Sequence, residues 1–259
     1  MKAATVLYKV KIIDEEIVLE NGLKHSKTAV IEKWKNNHQL ASRKFGAPDL
    51  EEIYKKIEKK EEINLDFCYL KDFSISDYRL KHNLSETEEI EILSFSAANA
   101  FFDSIFGTDF SYSHFVGDPP SFAYATFDQG NINFGHCRCK TSFNFNRSEF
   151  HVDELSFRFA EFEGAEIRFS SSLLDCENIL FVNTNFVDGK VSFRQTDFEY
   201  SNVNFQYARF DKADLSFDKA IFKGDHIDFR KVEFGDGRKV FRRVDFGDGN
   251  VNFNEAEFK

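Results

Sequence analysis

Residues 203–214 read VNFQYARFDKAD and residues 215–226 read LSFDKAIFKGDH. Numbered 1 to 12, each block carries a branched apolar residue at position 1, Phe at positions 3 and 8, and Ala at position 6. The same frame extends from Phe145 to Phe258 as twenty positions spaced alternately five and seven residues apart, all Phe except Leu174. With 33 Phe in 259 residues, chance does not produce such a run. The chain therefore contains a 12-residue internal repeat, the signature of a solenoid.

Within a block the apolar spacing of two fits a short strand with positions 1 and 3 on one side. Position 6 is small (Ser148, Ala160, Ser172, Thr184, Ala208), so small and large residues alternate inward, while Lys239 breaks the apolar pattern at position 1. Turn formers gather at positions 9 to 12, as in 235–237 and 247–249, both Gly-Asp-Gly. Recurrent Gly and Asp exclude a helix, and short strands joined by tight turns predict a β-helix. Two Phe per 12 residues overfill a narrow two-sheeted coil, so two blocks per coil, 24 residues around four sides, is the expected packing. The ladder reaches upstream through Phe110, Phe115, Phe122, Phe127, Phe134 and Cys139, then loses one residue before Phe145. Before Phe110 the register decays into distorted coils containing an insertion, where Ser85, Glu86, Thr87 and Glu88 form a capping-box pattern that predicts a short helix.

These blocks resemble the pentapeptide repeat proteins, whose units run small, polar, then Leu or Phe. The triplets at 160–162 (AEF), 208–210 (ARF), 213–215 (ADL) and 256–258 (AEF) carry the likeness, which spans residues 110–259. The resemblance implies a mainly β fold, a right-handed quadrilateral β-helix. Because this chain alternates five and seven where that family advances by five, a wider cross-section and less uniform turns are expected. Some members resemble duplex DNA in width and charge and bind DNA gyrase in its place. An acidic DNA mimic directed at gyrase or another DNA-binding protein is accordingly one alternative function.

The amino-terminal residues 1–62 form a small helical or mixed α/β cap on a β-helix over 63–259 that becomes regular near 110. Residues 5–13 alternate as a strand. Val30, Trp34, Ala41 and Phe45 are placed on one face of a helix. A second helix starts at Pro48 and Asp49 and buries Leu50, Ile53, Tyr54 and Ile57.

Net charge of −10 argues against direct nucleic-acid or anionic-membrane binding and favours basic partners. The charge is uneven: residues 143–200 hold eleven acids against five Lys or Arg, and residues 201–259 hold eleven of each. No stretch is long and apolar enough to span a bilayer, and no leader is evident, which places the chain in the cytoplasm. Cys68, Cys137, Cys139 and Cys176 are read as reduced, with Cys137 and Cys139 in the core rather than binding metal. None of the seven His residues joins a Ser or Cys in a nucleophile motif, and no phosphate or dinucleotide loop appears. No catalytic, cofactor-binding or metal residue is assigned, and no cofactor is expected. The expectation is a non-enzymatic, bacterial-type interaction or scaffold protein whose protein partner is unknown. The ladder runs to the last residues, so Phe246, Phe253 and Phe258 are candidates for homodimer contact; alternatively the chain is the soluble part of a larger, membrane-linked protein.

Overall fold

The computed structural model describes residues 6–164 and 166–259. From about residue 63 the backbone winds into a β-solenoid with four strand-forming sides per coil, all paired in parallel. In the coil starting at Glu149, the strand Glu149–Ser156 bends to serve two sides, and Glu161–Phe162 and Glu166–Arg168 form the other two. The side built by Thr108–Asp109, Asn131–Asn133, the second halves of Glu149–Ser156 and Leu173–Leu180, Asn202–Asn204, His226–Asp228 and Asn250–Asn252 stacks seven strands deep.

The expected coil length is observed. Phe150 faces Leu174 and Val203 faces Ile227, each 24 residues on. Phe127 faces Phe150 after only 23, because of the residue missing between Cys139 and Phe145.

The rings fill four columns. One holds Phe110, Phe134, Phe157, Phe181, Phe205, Phe229 and Phe253, with successive centroids 4.7–5.2 Å apart and planes within 10°. The second runs from Phe122 to Phe241. Rings of these two columns meet edge to face, as Phe157 does with Phe169 at 90°. Both arrangements suit the aromatic quadrupole. Leu174 interrupts the third column between Phe150 and Phe198, and Cys139 the fourth between Phe115 and Phe162. Stacking along the axis follows from interstrand spacing of about 4.8 Å.

Small residues at position 6 have a second role. The hydroxyls of Ser172, Thr184 and Thr196 donate to the carbonyls of Phe145, Phe157 and Phe169 in the coil below, at 2.6–2.7 Å. Position 5 is left-handed in every half-coil from Arg147 to Glu255, with φ near +60° and no glycine there. A β-turn closes around it, as where the Ala160 N–H donates to the Phe157 carbonyl. This corner is uniform, contrary to the expectation of less regular turns, and the irregularity is confined to positions 9–12. There Gly235 is obligatory: a Cβ would lie 2.0 Å from the Asp211 carbonyl oxygen of the preceding coil. Lys239, the apolar exception, turns its ammonium onto the carbonyls of Ala213, Gly235 and Gly237 at 2.6–3.1 Å.

The amino-terminal region corrects two expectations. The expected strand is Leu7–Ile13 (Thr5 lies outside the described residues), but Val30, Trp34, Ala41 and Phe45 do not share a helix. Thr28–Lys35 and His38–Gly46 form an antiparallel hairpin turning at Asn36 and Asn37, both at positive φ, and Leu7–Ile13 adds to its edge. The consecutive Asn residues favour a two-residue hairpin, and Thr28, Val30 and Ile31 before the turn favour a strand. The capping-box segment 85–88 forms turns rather than a helix. Helix α1, Leu50–Glu58, forms as expected, with the Asp49 side chain capping the Glu51 N–H. A second helix, α2 (Ile75–Lys81), had no counterpart in the expectations; Ser74 caps its Asp77 N–H.

Helix α1 delivers Ile53, Tyr54 and Ile57 into the same buried cluster as Leu65, Phe73 and Ile92 of the first coils. The three-stranded sheet instead lies along one flank, where Ala29, Ile31 and Phe45 bury the outward-facing Tyr69 and Phe101.

Candidate interaction surfaces

Because the rings occupy the interior, charged and amide side chains are left outside in ladders, one rung per coil. On one long side Glu166, Lys190, Asp214 and Arg238 alternate in sign, with Lys190 3.9 Å from Glu166 and Arg238 3.7 Å from Asp214. The opposite long side is rich in amides: Asn131, Asn133, Asn178, Asn202, Asn204, Asn250 and Asn252. A third side pairs Arg138 with Glu89 and Glu161, and Arg209 with Asp211 and Glu233.

The flank under the amino-terminal sheet carries a cluster of perturbed carboxylates around His151. Lys33 Nζ lies 2.7 Å from Glu149 Oε2, and the Tyr8 hydroxyl donates to that oxygen at 3.4 Å. His151 sits between Glu149 (3.3 Å) and Asp175 (3.5 Å). Burial opposes its charge, yet its bonds to Asp175 and Glu149 prevail and hold the imidazolium up at about 9. The His151 bond, with Lys33, takes the Glu149 carboxyl down to about 2 against the pull of burial. Beside them Asp128 is pushed up to about 6 by burial and by Asp103. These groups fasten the sheet to the solenoid.

All four cysteines are free and buried. Cys137 and Cys139 point inward as expected, and His136 is separated from them, stacked outside between Tyr112 (4.4 Å) and Phe159 (4.9 Å). One pairing was not anticipated: His25 Nε2 lies 3.5 Å from Cys68 Sγ. Burial pushes the Cys68 thiol up to about 12 and lowers His25, so both are neutral and the contact is a partly buried hydrogen bond, not a thiolate nucleophile. Their partnership joins residues 43 apart and had no local signature. Of the candidate contact residues, Phe246 is partly buried, Phe253 is 37% exposed and Phe258 is 62% exposed.

Sequence reading also missed a groove of about 750 Å³ on the amide-rich side. Its floor is formed by outward residues of Thr108–Asp109, Asn131–Asn133 and the end of Glu149–Ser156. One wall is the start of α2 with Ser76 and Asp77; the other is the loop containing Phe106. Asp109 anchors the first wall, accepting from Ser76 Oγ (2.7 Å), Asn133 Nδ2 (3.0 Å) and the buried Arg79 Nη2 (3.5 Å). The available signal was spacing: from Asp103 to Asp109 the chain takes six steps, whereas the matching interval from Asp128 to Asn133 takes five.

No known family, curated protein or solved structure matches this chain.

Proposed function

We propose that this chain is a divergent relative of the pentapeptide repeat proteins that acts as a non-enzymatic, protein-binding scaffold. The observation that carries the reading is the division of labour in each coil. Phe and small residues fill the interior, and the polar side chains form regular external arrays presented on a rigid rod. Such surfaces bind by complementarity over several coils. The test is affinity capture from a bacterial lysate at low and at physiological salt, with bound proteins identified by mass spectrometry. A stoichiometric partner retained at physiological salt is expected; nothing beyond abundant background overturns the reading. The alternative of an acidic gyrase-binding DNA mimic is disfavoured by the interleaved cations of the ladders, Lys190, Arg209 and Arg238 among them.

Self-association is a second reading, favoured by the exposed rings Phe253 and Phe258. A second copy, or any polypeptide continuing the columns, would cover them. Sedimentation of the 259-residue chain separates these: dimer mass lost in Phe258→Lys supports pairing, and monomer mass for the unmodified chain refutes it.

A further inference from the structure

We propose that the groove between α2 and the loop at residues 104–107 binds a basic protein segment that carries an apolar side chain. The inference rests on the scaffold reading and names the partner's chemistry at one place on the rod.

Three observations converge. The first is the loop. Aligned on its neighbours, the interval from Asp103 to Asp109 is one residue longer than in the next coil and three longer than in the preceding one, where Lys71 faces Asp103 and Ser74 faces Asp109. The excess is extruded as Ile105 and Phe106, 66% and 86% exposed in a chain whose other Phe rings are mostly buried. Gly107, at φ +100°, permits the bulge, and a Cβ there would meet the Asn131 carbonyl oxygen at 2.7 Å. Leu80, one turn beyond Ser76 and Asp77 on α2, is 76% exposed next to the opposite wall. Phe106 thus lines the polar floor, and Leu80 lies on the helix that forms the other wall, exposed apolar side chains of the kind that mark a binding surface.

The second is charge. Among the described residues, Asp72, Asp77, Asp109 and Glu154 line the groove against one cation, Arg158. Asp109 is already committed to Arg79, Ser76 and Asn133. Asp77 and Glu154 make no side-chain hydrogen bond or ion pair among the described residues, so two carboxylates are available to an incoming cation. The third is floor chemistry: the exposed Asn131 offers an amide donor and acceptor to an extended backbone, beside Asn133, whose amide is held by Asp109 and Gly135. A lysine- or arginine-bearing strand with one apolar residue meets all three, its cations on Asp77 and Glu154 and its apolar side chain against Phe106.

The probe is an array of immobilised synthetic peptides in three sets: basic with one Phe or Leu, basic without it, and acidic with it. Chitohexaose and a soluble β-glucan are tested in parallel. The basic–apolar set is expected to bind the unmodified chain, more weakly as salt rises. Phe106→Ser and Glu154→Lys are each expected to weaken that binding about tenfold or more. Both residues project outward, so unchanged circular dichroism confirms that each variant is folded. Binding that is indifferent to both substitutions overturns the groove assignment and leaves the scaffold reading standing. Preference for the acidic set, or oligosaccharide binding abolished by Phe106→Ser, replaces the basic segment with another ligand class. Failure of every peptide, together with an empty lysate capture, overturns both.

Discussion

Replacing Phe181 by Ala removes a ring from the middle of the longest column. Phe181 is fully buried, stacked on Phe157 at 5.0 Å and Phe205 at 4.7 Å, and met edge-on by Phe193 at 5.5 Å. A buried Phe→Ala exchange loses the transfer energy of the ring and leaves a cavity, together about 3–5 kcal/mol. Ring-on-ring neighbours above and below cannot collapse into the gap without breaking strand register, which puts the expected loss at the upper end of that range. Phe258 provides the contrast. It stacks on Phe234 at 4.6 Å but is 62% exposed, so Phe258→Ala removes less than half a burial, about 1 kcal/mol. Urea unfolding followed by far-ultraviolet circular dichroism measures both, and the single tryptophan, Trp34, reports separately on the amino-terminal sheet. Equal losses for the two variants would refute the claim that internal stacking, rather than backbone pairing alone, holds the coils together.

Three further outcomes are expected. Gly235→Ala, whose Cβ would approach the Asp211 carbonyl oxygen to 2.0 Å, destabilises by about 1–3 kcal/mol as judged by thermal melting, and a wild-type melting point would show that the turn gives way freely. Because His151 is held up at about 9 from its ordinary 6.5, its contribution is complete below pH 6.5 and disappears as pH rises through 9. The melting temperature should fall across that window in the unmodified chain and stay flatter in His151→Gln; identical slopes would remove His151 from the account. All four buried thiols should resist an aromatic disulfide reagent in the native protein and react fully in guanidinium, whereas rapid native labelling would contradict their burial.

The solenoid was legible because its core is a repeat: Phe at fixed intervals states both coil length and inward direction, and the displaced register at Phe150 followed from one missing residue. The hairpin was not, because Val30, Trp34, Ala41 and Phe45 fall at intervals of four and seven that mimic a helical face, while the deciding residues are the two at the turn, Asn36 and Asn37. Helix α2 did have a start signal in Ser74 and Asp77, but it interrupts a degenerate coil and lacks a long apolar stripe. The candidate groove depends on how far one loop protrudes from its neighbours. That is a difference between coils, visible only once their strands are aligned.

The left-handed corner at position 5 has a wider consequence. Its ten occupants from Arg147 to Glu255 are Arg, Phe, Ser, Asn, Gln, Tyr, Lys, Lys, Arg and Glu, so its backbone geometry is insensitive to the side chain it carries. A non-glycine residue there costs about 1–2 kcal/mol, and the stacked core absorbs that cost whichever residue is present. The two edges of the rod that carry this corner are therefore rewritable pegboards, with holes about 4.8 Å apart and pegs exchangeable one at a time without redrawing the frame.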